Sequence, residues 1–460
     1  MILVLGAGLA GISCSYHLNH ECLVVEKKHH VGGHIYSHQI DGFTWDEGPH
    51  VSFTKHKYVK DLFAKSLNSK FLEYPVFPTN YYKGYWINHP AQSNLYAVPE
   101  PVRTQCLNDF LSSRNENQDA IVPKNYEDWS TLAFGKTFYE EFVKSYTKKY
   151  WTVEPKDLTT DWVGGRVFFP DVETVKQGFI APLDQSTHYI TSVRYPEKGG
   201  YFSYTNGLRE GMNVELDKTV ERISLASKTV YFADGSNIEY SKLINTLPLP
   251  EFVRYIEATP ELNKAADDLA CSELLLINYV INHPAKIDAH WFYVYDSDKY
   301  ATRVNFTELL SPQNGQDGKT GIQVEVYFSK YQPQIDPVEI IVNRVLEELI
   351  EMGLVESKEF FEKSNTQYIK YANVICDLRR REALETIFSY LGQYGLERES
   401  DDLEPMTDWD KKLENNDDSK VGDIVLAGRF GQWKYFWTDD CILRGKFIAE
   451  KLGYNKYSDD

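Results

Sequence analysis

Residues 1–26 read MILVLGAGLAGISCSYHLNHECLVVE, and this stretch decides the fold. Residues 2–5 are a strand of the buried type, and GAGLAGISCSYHL supplies the turn and helix that follow it. Gly6, Gly8 and Gly11 form G-x-G-x-x-G directly after that strand. In such a turn the first glycine bends the chain and the second lets a pyrophosphate approach the backbone. The third lets the helix pack on the strand. The helix N-terminus then faces the phosphate charge. LVVE at 23–26 is the second strand, and Glu26 stands at its end, where a carboxylate can take ribose hydroxyls. The competing reading, a tight structural turn, explains neither the acid nor its spacing.

The far end repeats the pattern. VGDIVLAGRFGQWKYFWTDD, residues 421–440, carries an apolar strand into Gly428, then Arg429 and four aromatics within the next eight residues. Two strand-to-glycine turns at the extremes of one chain suggest that both ends meet at one ligand.

The rest of the composition narrows the class. A chain of 460 residues is too long for one ordinary core. Acidic residues outnumber basic ones, 67 to 49, for a formal charge of −18. Nucleic acid is therefore not an expected partner, because phosphate backbones call for a basic field. No apolar run is long enough to span a membrane, and the N-terminus lacks the basic region of a signal peptide. The 6 cysteines show no CxxC spacing and read as structural thiols of a cytoplasmic protein. His29, His30, His34 and His38 fit no zinc pattern, so no metal site is expected.

Along the chain, residues 100–150 are largely helical. Strand-like runs occupy 185–204 and 272–330, including ELLLINYVI, HWFYVYD and GIQVEVYF. PVEIIVNRVLEELIEMG at 337–353 is an amphipathic helix. KTVERISLASKTVYFADGS at 218–236 reads as a β-hairpin. Residues 399–423 are acidic and poor in core residues, which predicts a surface loop.

After Glu26 comes EKKHHVGGHIYS, with Gly32 and Gly33. A second glycine pair there resembles the flavoproteins of the amine oxidase and protoporphyrinogen oxidase type, which implies FAD. That resemblance places Val220 of the hairpin against the adenine and Gly428 and Arg429 at the flavin.

Several separated blocks are similar to the UDP-galactopyranose mutases and their nucleotide-sugar relatives. FTWDEGPHVSFTKHKY (43–58) resembles a loop at the flavin, through Gly48-Pro49-His50. YKGYWINHPAQSNLYAVP (82–99) brings Gln92 and Asn94 as substrate contacts. GKTFYEEFVKSYTKKYWTVEPKDLTTDWVGGRV (135–167) is the most specific match. It implies that Tyr146 stacks on a uracil, that Trp151 lies in the active site, and that Arg166 is near the diphosphate and sugar. HWFYVYDSDKYATRVNFTELLSP (290–312) implies a second diphosphate arginine, Arg303, and GRFGQWKYFW implies a diphosphate tyrosine, Tyr435. For Arg166 and Arg303 the competing reading is a salt bridge; for Tyr146 and Trp151 it is core packing. Three departures stand out. Asn373-Val374 replaces a Tyr-Pro unit, with Tyr371 nearby. His89-Pro90 replaces another Tyr-Pro. Phe436-Trp437 replaces the small or acidic residues common in mutases.

The implied fold is α/β: a Rossmann-type FAD-binding domain with a helical insertion and an antiparallel-sheet substrate domain. The FAD domain is expected from 1–75, 205–255 and 421–460, and the helical substrate domain from 95–165. The sheet domain with its flanking helices is expected from 76–94, 166–204 and 256–420. The implied activity is that of an FAD-dependent isomerase, a redox-neutral interconversion of a nucleotide-linked hexopyranose and its furanose for cell-surface polysaccharide synthesis. It calls for reduced FAD, with NAD(P)H or a reductase as partner. Arg166, Arg303 and Tyr435 would hold the departing diphosphate, and His50 would position the flavin. The sugar, the base and any homo-oligomer stay open. The alternatives are an FAD-dependent oxidase or desaturase, and a flavin-free binding protein on the same fold.

Overall fold

The computed structural model describes the chain apart from residues 76–77, 116–121, 184–191, 414–418 and 455–460. Part of the strand-like run expected over 185–204 thus lies outside the described residues. The remainder holds a strand, Ser192–Pro196, and a 3-10 segment, Tyr201–Thr205.

Two sheets organise the molecule. One is five-stranded and wholly parallel, in the order Ile424–Leu426, Lys242–Asn245, Ile2–Leu5, Leu23–Val25, Val214–Glu215. Its strands are short, nearly continuous apolar runs, as expected for a sheet covered on both faces. The opening strand is central, and the closing strand is two places away at the edge. The opening helix Leu9–His17 lies against the final helix Thr438–Lys451, and the Ser13 hydroxyl donates to the Ile442 carbonyl at 2.8 Å. The close approach needs glycine: a Cβ at Gly445 would lie 2.2 Å from the Ser13 oxygen. The hairpin read over 218–236 is present as Val220–Ser224 paired antiparallel with Thr229–Phe232.

The second sheet has seven strands, in the order Phe361–Ile375, Ala270–Ile281, Thr320–Ser329, Arg303–Phe306, Trp291–Val294, Thr79–Tyr82, Tyr85–Asn88. It is not purely antiparallel as expected. Trp291–Val294 and Thr79–Tyr82 run parallel, because the latter arrives from far earlier in the chain and no hairpin fixes its direction. The helix Val338–Glu351 backs this sheet through Ile341, Val345 and Leu349. A helical layer, including Val102–Asn115, Tyr126–Phe134 and Lys144–Tyr150, packs around Phe110, Phe134, Phe138 and Phe142. Among the described residues, no helix is long and apolar enough to cross a membrane.

The acidic stretch after 399 departs from the expected surface loop. Glu399 and Asp401 turn inward onto Arg444, Lys412 and Lys434, and Trp409 is buried. Lys434 and Arg444 of the closing segment, with Lys412 of the stretch itself, draw in carboxylates that sequence alone assigns to solvent.

Candidate active site

One cavity of about 860 Å³ runs between the two sheets and the helical layer. Every candidate cofactor, substrate or catalytic residue drawn from the sequence lines it except Gly11 and Asn94. Gly11 acts in packing: a Cβ there would stand 2.0 Å from the Gly6 carbonyl oxygen, so only glycine lets the helix sit on its strand. Asn94 is buried, and its amide donates to the Pro90 carbonyl at 3.1 Å.

At one end, Gly6 turns with φ +94° off the central strand. Gly8 caps the opening helix with extended backbone and no side-chain cap, which leaves the helix N-terminus open to an anion. Gly32 donates to the Ala7 carbonyl at 2.8 Å and bridges Gly8. The two glycine turns are thereby stitched side by side. Glu26 accepts from the amides of Ala7 at 2.8 Å and Lys28 at 2.9 Å, so its carboxylate is fixed at the end of the second strand. Lys218 and Val220 complete this end. An uncapped helix terminus, a bare glycine surface and an anchored carboxylate fit a dinucleotide.

In the middle, Gly48, His50, Gly428 and Arg429 converge. The His50 imidazole Nδ1 lies 2.9 Å from the Gly48 carbonyl oxygen. Burial, reinforced by the charges of Arg429 and Arg303, lowers its pKa to about 4. His34, also on the cavity, is lowered to about 4, chiefly by burial. Both rings are neutral at pH 7. Arg429 donates to the carbonyls of Phe436 at 2.7 Å and Ala372 at 3.1 Å, and to the Asn373 side-chain oxygen at 3.0 Å. Asn373, a departure from the mutase pattern, is thus a partner of the arginine beside the cavity centre.

The third region is aromatic and carries the two arginines expected from distant blocks. Arg303 makes a two-pronged pair with Glu325, both contacts 2.7 Å, and the Tyr327 hydroxyl donates to the same carboxylate at 3.0 Å. Tyr146 stacks on Tyr150 and meets Tyr293 edge-on. Trp151 meets Tyr435 at 5.2 Å between ring centres. Arg166 donates to the Tyr435 carbonyl at 2.9 Å, lies 3.5 Å from Asp440, and stacks over Trp437 at 3.1 Å from the ring centre. Gln92 donates to the Phe168 carbonyl at 3.0 Å. Tyr371 occupies a separate limb of the cavity, against Phe430.

Sequence reading missed Glu325, Tyr327, Tyr150 and Tyr293. A signal existed for two of them. In GIQVEVYF, Glu325 and Tyr327 fall on one face of a fully buried strand, and a buried carboxylate demands a cation. The clamp on the closing turn was also missed. Lys434 donates to Asp401 and Thr407, and the Tyr435 amide donates to the Pro405 carbonyl at 2.7 Å. The histidines of 29–38 meet ring to ring and not around a common centre: His30 touches His29 and His38 edge to face and stacks on Tyr36, and His38 contacts Glu47 at 3.2 Å. Among the described residues, no His/Cys/Asp/Glu group is arranged to hold a metal ion.

The lowered histidines predict a pH dependence of stability. An unfolded histidine takes up a proton near pH 6.5, whereas His34 and His50 stay neutral in the fold down to about 4. The unfolded chain therefore binds more protons in this window, and stability falls as pH drops from 6.5 toward 4. His50→Asn is expected to flatten the slope of unfolding free energy by up to about 1.4 kcal/mol per pH unit there. Urea unfolding at a series of pH values checks this; an unchanged slope rejects it.

Comparison with known proteins agrees with this geometry. Residues 9–373 match the family of flavin containing amine oxidoreductases. A Klebsiella pneumoniae protein named "Probable UDP-galactopyranose mutase" is 25% identical over 166 residues, 34% of this chain. That match spans 42% of the relative's length, less than half. Among solved structures, reduced UDP-galactopyranose mutase superposes with a TM-score of 0.87 at 22% identity, over 99% of this chain and 96% of the other. A triple mutant of putrescine oxidase superposes with a TM-score of 0.63 at 13% identity, over 98% of each chain. The fold is the mixed α/β fold of the mutase. With a family match that runs from the opening helix to Asn373, beside the cavity centre, this chain belongs to the flavin containing amine oxidoreductase family.

Proposed function

We propose that the protein is an FAD-dependent nucleotide-sugar mutase that interconverts an NDP-hexopyranose and its furanose. The observation that carries this reading is the continuity of one cavity from the dinucleotide-type glycine turns to an aromatic region holding Arg303, Arg166 and Tyr146. An oxidase of an amine or an apolar ring has no need of guanidinium groups at its substrate end. A diphosphate does, and a base calls for an aromatic plane such as Tyr146.

A bound, reduced flavin would supply an electron-rich centre for the anomeric carbon. The chain's own residues do the rest. Glu26 would take the ribose of the cofactor, Val220 would pack on its adenine, and the helix terminus beyond Gly8 would face its pyrophosphate. His50 is neutral and orients the flavin without adding charge. Arg303 has five N–H donors; two are spent on Glu325, and the others remain for phosphate oxygens. Arg166 and Tyr435 lie across the cavity as the second hold on the departing diphosphate, a charge-stabilising role. Water is limited by the buried rings of Trp151 and Trp162.

The test has two parts. The supernatant of denatured protein is expected to contain FAD on chromatography; FMN or NAD there rejects the cofactor assignment. Dithionite-reduced protein incubated with UDP-, dTDP- and GDP-hexopyranoses is expected to form a furanose isomer of one of them. Oxygen consumption with peroxide release on an amine substrate, and no isomer, moves the protein to the oxidase reading that its family also allows.

A further inference from the structure

We infer that the sugar carried by this enzyme is a 6-deoxyhexose. The inference rests on the mutase reading above and names the substrate class of the same cavity. Between the arginines the cavity has a carbon-rich wall made of Val51, Phe53, Trp291 and Trp437. Trp437 lies under the Arg166 guanidinium, and Phe53 meets Trp437 edge to face at 4.7 Å between ring centres. Trp291 packs with Val51, Phe53 and Tyr293 in one apolar cluster, and Tyr293 pairs with Arg303 across neighbouring strands. The wall thus runs from beneath one arginine to the strand beside the other. On this inference, a diphosphate held between the arginines sets the C6 of its sugar against that wall.

The wall's chemistry discriminates among sugars. The Trp291 indole N–H already donates to the Tyr293 hydroxyl at 3.1 Å. Val51 and Phe53 carry no polar side-chain atom. A hydroxymethyl group brought against such a surface loses hydrogen bonds to water without replacing them. A methyl group in the same place gains from the burial.

The experiment measures dissociation constants on dithionite-reduced holo-protein for UDP-galactose, UDP-6-deoxygalactose and UDP-N-acetylgalactosamine, with dTDP-galactose and dTDP-6-deoxygalactose as a second matched pair. Within each pair the ligands differ only at the C6 hydroxyl. The deoxy sugar is expected to bind about ten- to a hundredfold more tightly in at least one pair, the range a hydrophobic site achieves against an added hydroxyl. Val51→Thr, which adds a hydroxyl at nearly constant volume, is expected to narrow the ratio at least threefold; Phe53→Tyr serves the same purpose if the first variant does not fold. Equal or tighter binding of the parent hexose overturns the inference and leaves the mutase reading standing, as does tightest binding of the acetamido sugar. If none of these sugars binds, the inference falls; if UDP, dTDP and GDP alone do not bind either, the mutase reading fails with it.

Discussion

One chemical reduction of the holo-protein is expected to support many turnovers, while the oxidised protein gives no product above background. Pyranose and furanose forms of one nucleotide sugar have the same composition, so their interconversion moves no net electrons. On the mutase reading a bound flavin would still have to be reduced, because only then would it have an electron pair to offer the anomeric carbon. The protein side of the cavity agrees with a flavin that is a partner in bonding. His34 and His50 on the cavity are held neutral by burial and nearby guanidinium charge, which leaves neither as a strong proton acceptor for a hydride-type oxidation. The measurement is anaerobic titration with one equivalent of dithionite per flavin, followed by product counting. Product in large excess over flavin supports the mutase reading. One product per reduced flavin, or peroxide formation, places the protein among the oxidising members of its family.

Arg303→Ala is expected to weaken nucleotide-sugar binding by about ten- to a hundredfold, the value of a lost charge-assisted contact, with FAD content unchanged. The Glu325 pairing makes this variant informative in a second way. Glu325 is 1% exposed and sits in a fully buried strand, so deleting its cation leaves a carboxylate in a poor solvent. Breaking such a pair costs about 3–5 kcal/mol when both partners are buried, and less here because the arginine side chain is 23% exposed. The alanine variant is therefore expected to lose stability as well as affinity. Arg303→Ala with Glu325→Gln removes the orphaned charge: thermal stability is expected to recover while binding stays weak. Calorimetric unfolding and ligand titration on the same samples separate the two effects. A double variant that binds the nucleotide sugar normally would remove Arg303 from the diphosphate site.

The ends of the chain were legible because their signals are local. A strand, three glycines, a helix and an acid in one run of 26 residues specify a phosphate-binding turn by backbone geometry alone. The same holds for Gly428, whose φ of +82° places the closing turn against Ala10. The amphipathic helix at 338–351 and the hairpin after 218 were legible for the same reason, since periodicity is a property of neighbours in sequence.

What sequence alone could not decide is the pairing of charges across distance. Arg303 reads as a phosphate ligand or as half of a salt bridge, and only the register that sets it opposite Glu325 shows that it is already a paired cation. The acidic run after 399 reads as solvent-facing until Lys434 and Arg444 are seen beneath it, with the run's own Lys412 folded back onto Glu399. Asn373 reads as a departure from a pattern until its side chain is found on Arg429. The physical reason is common to all three. Backbone conformation follows from adjacent residues, whereas the free energy of a charge depends on what the fold brings within a few ångströms of it and on how much water is left there.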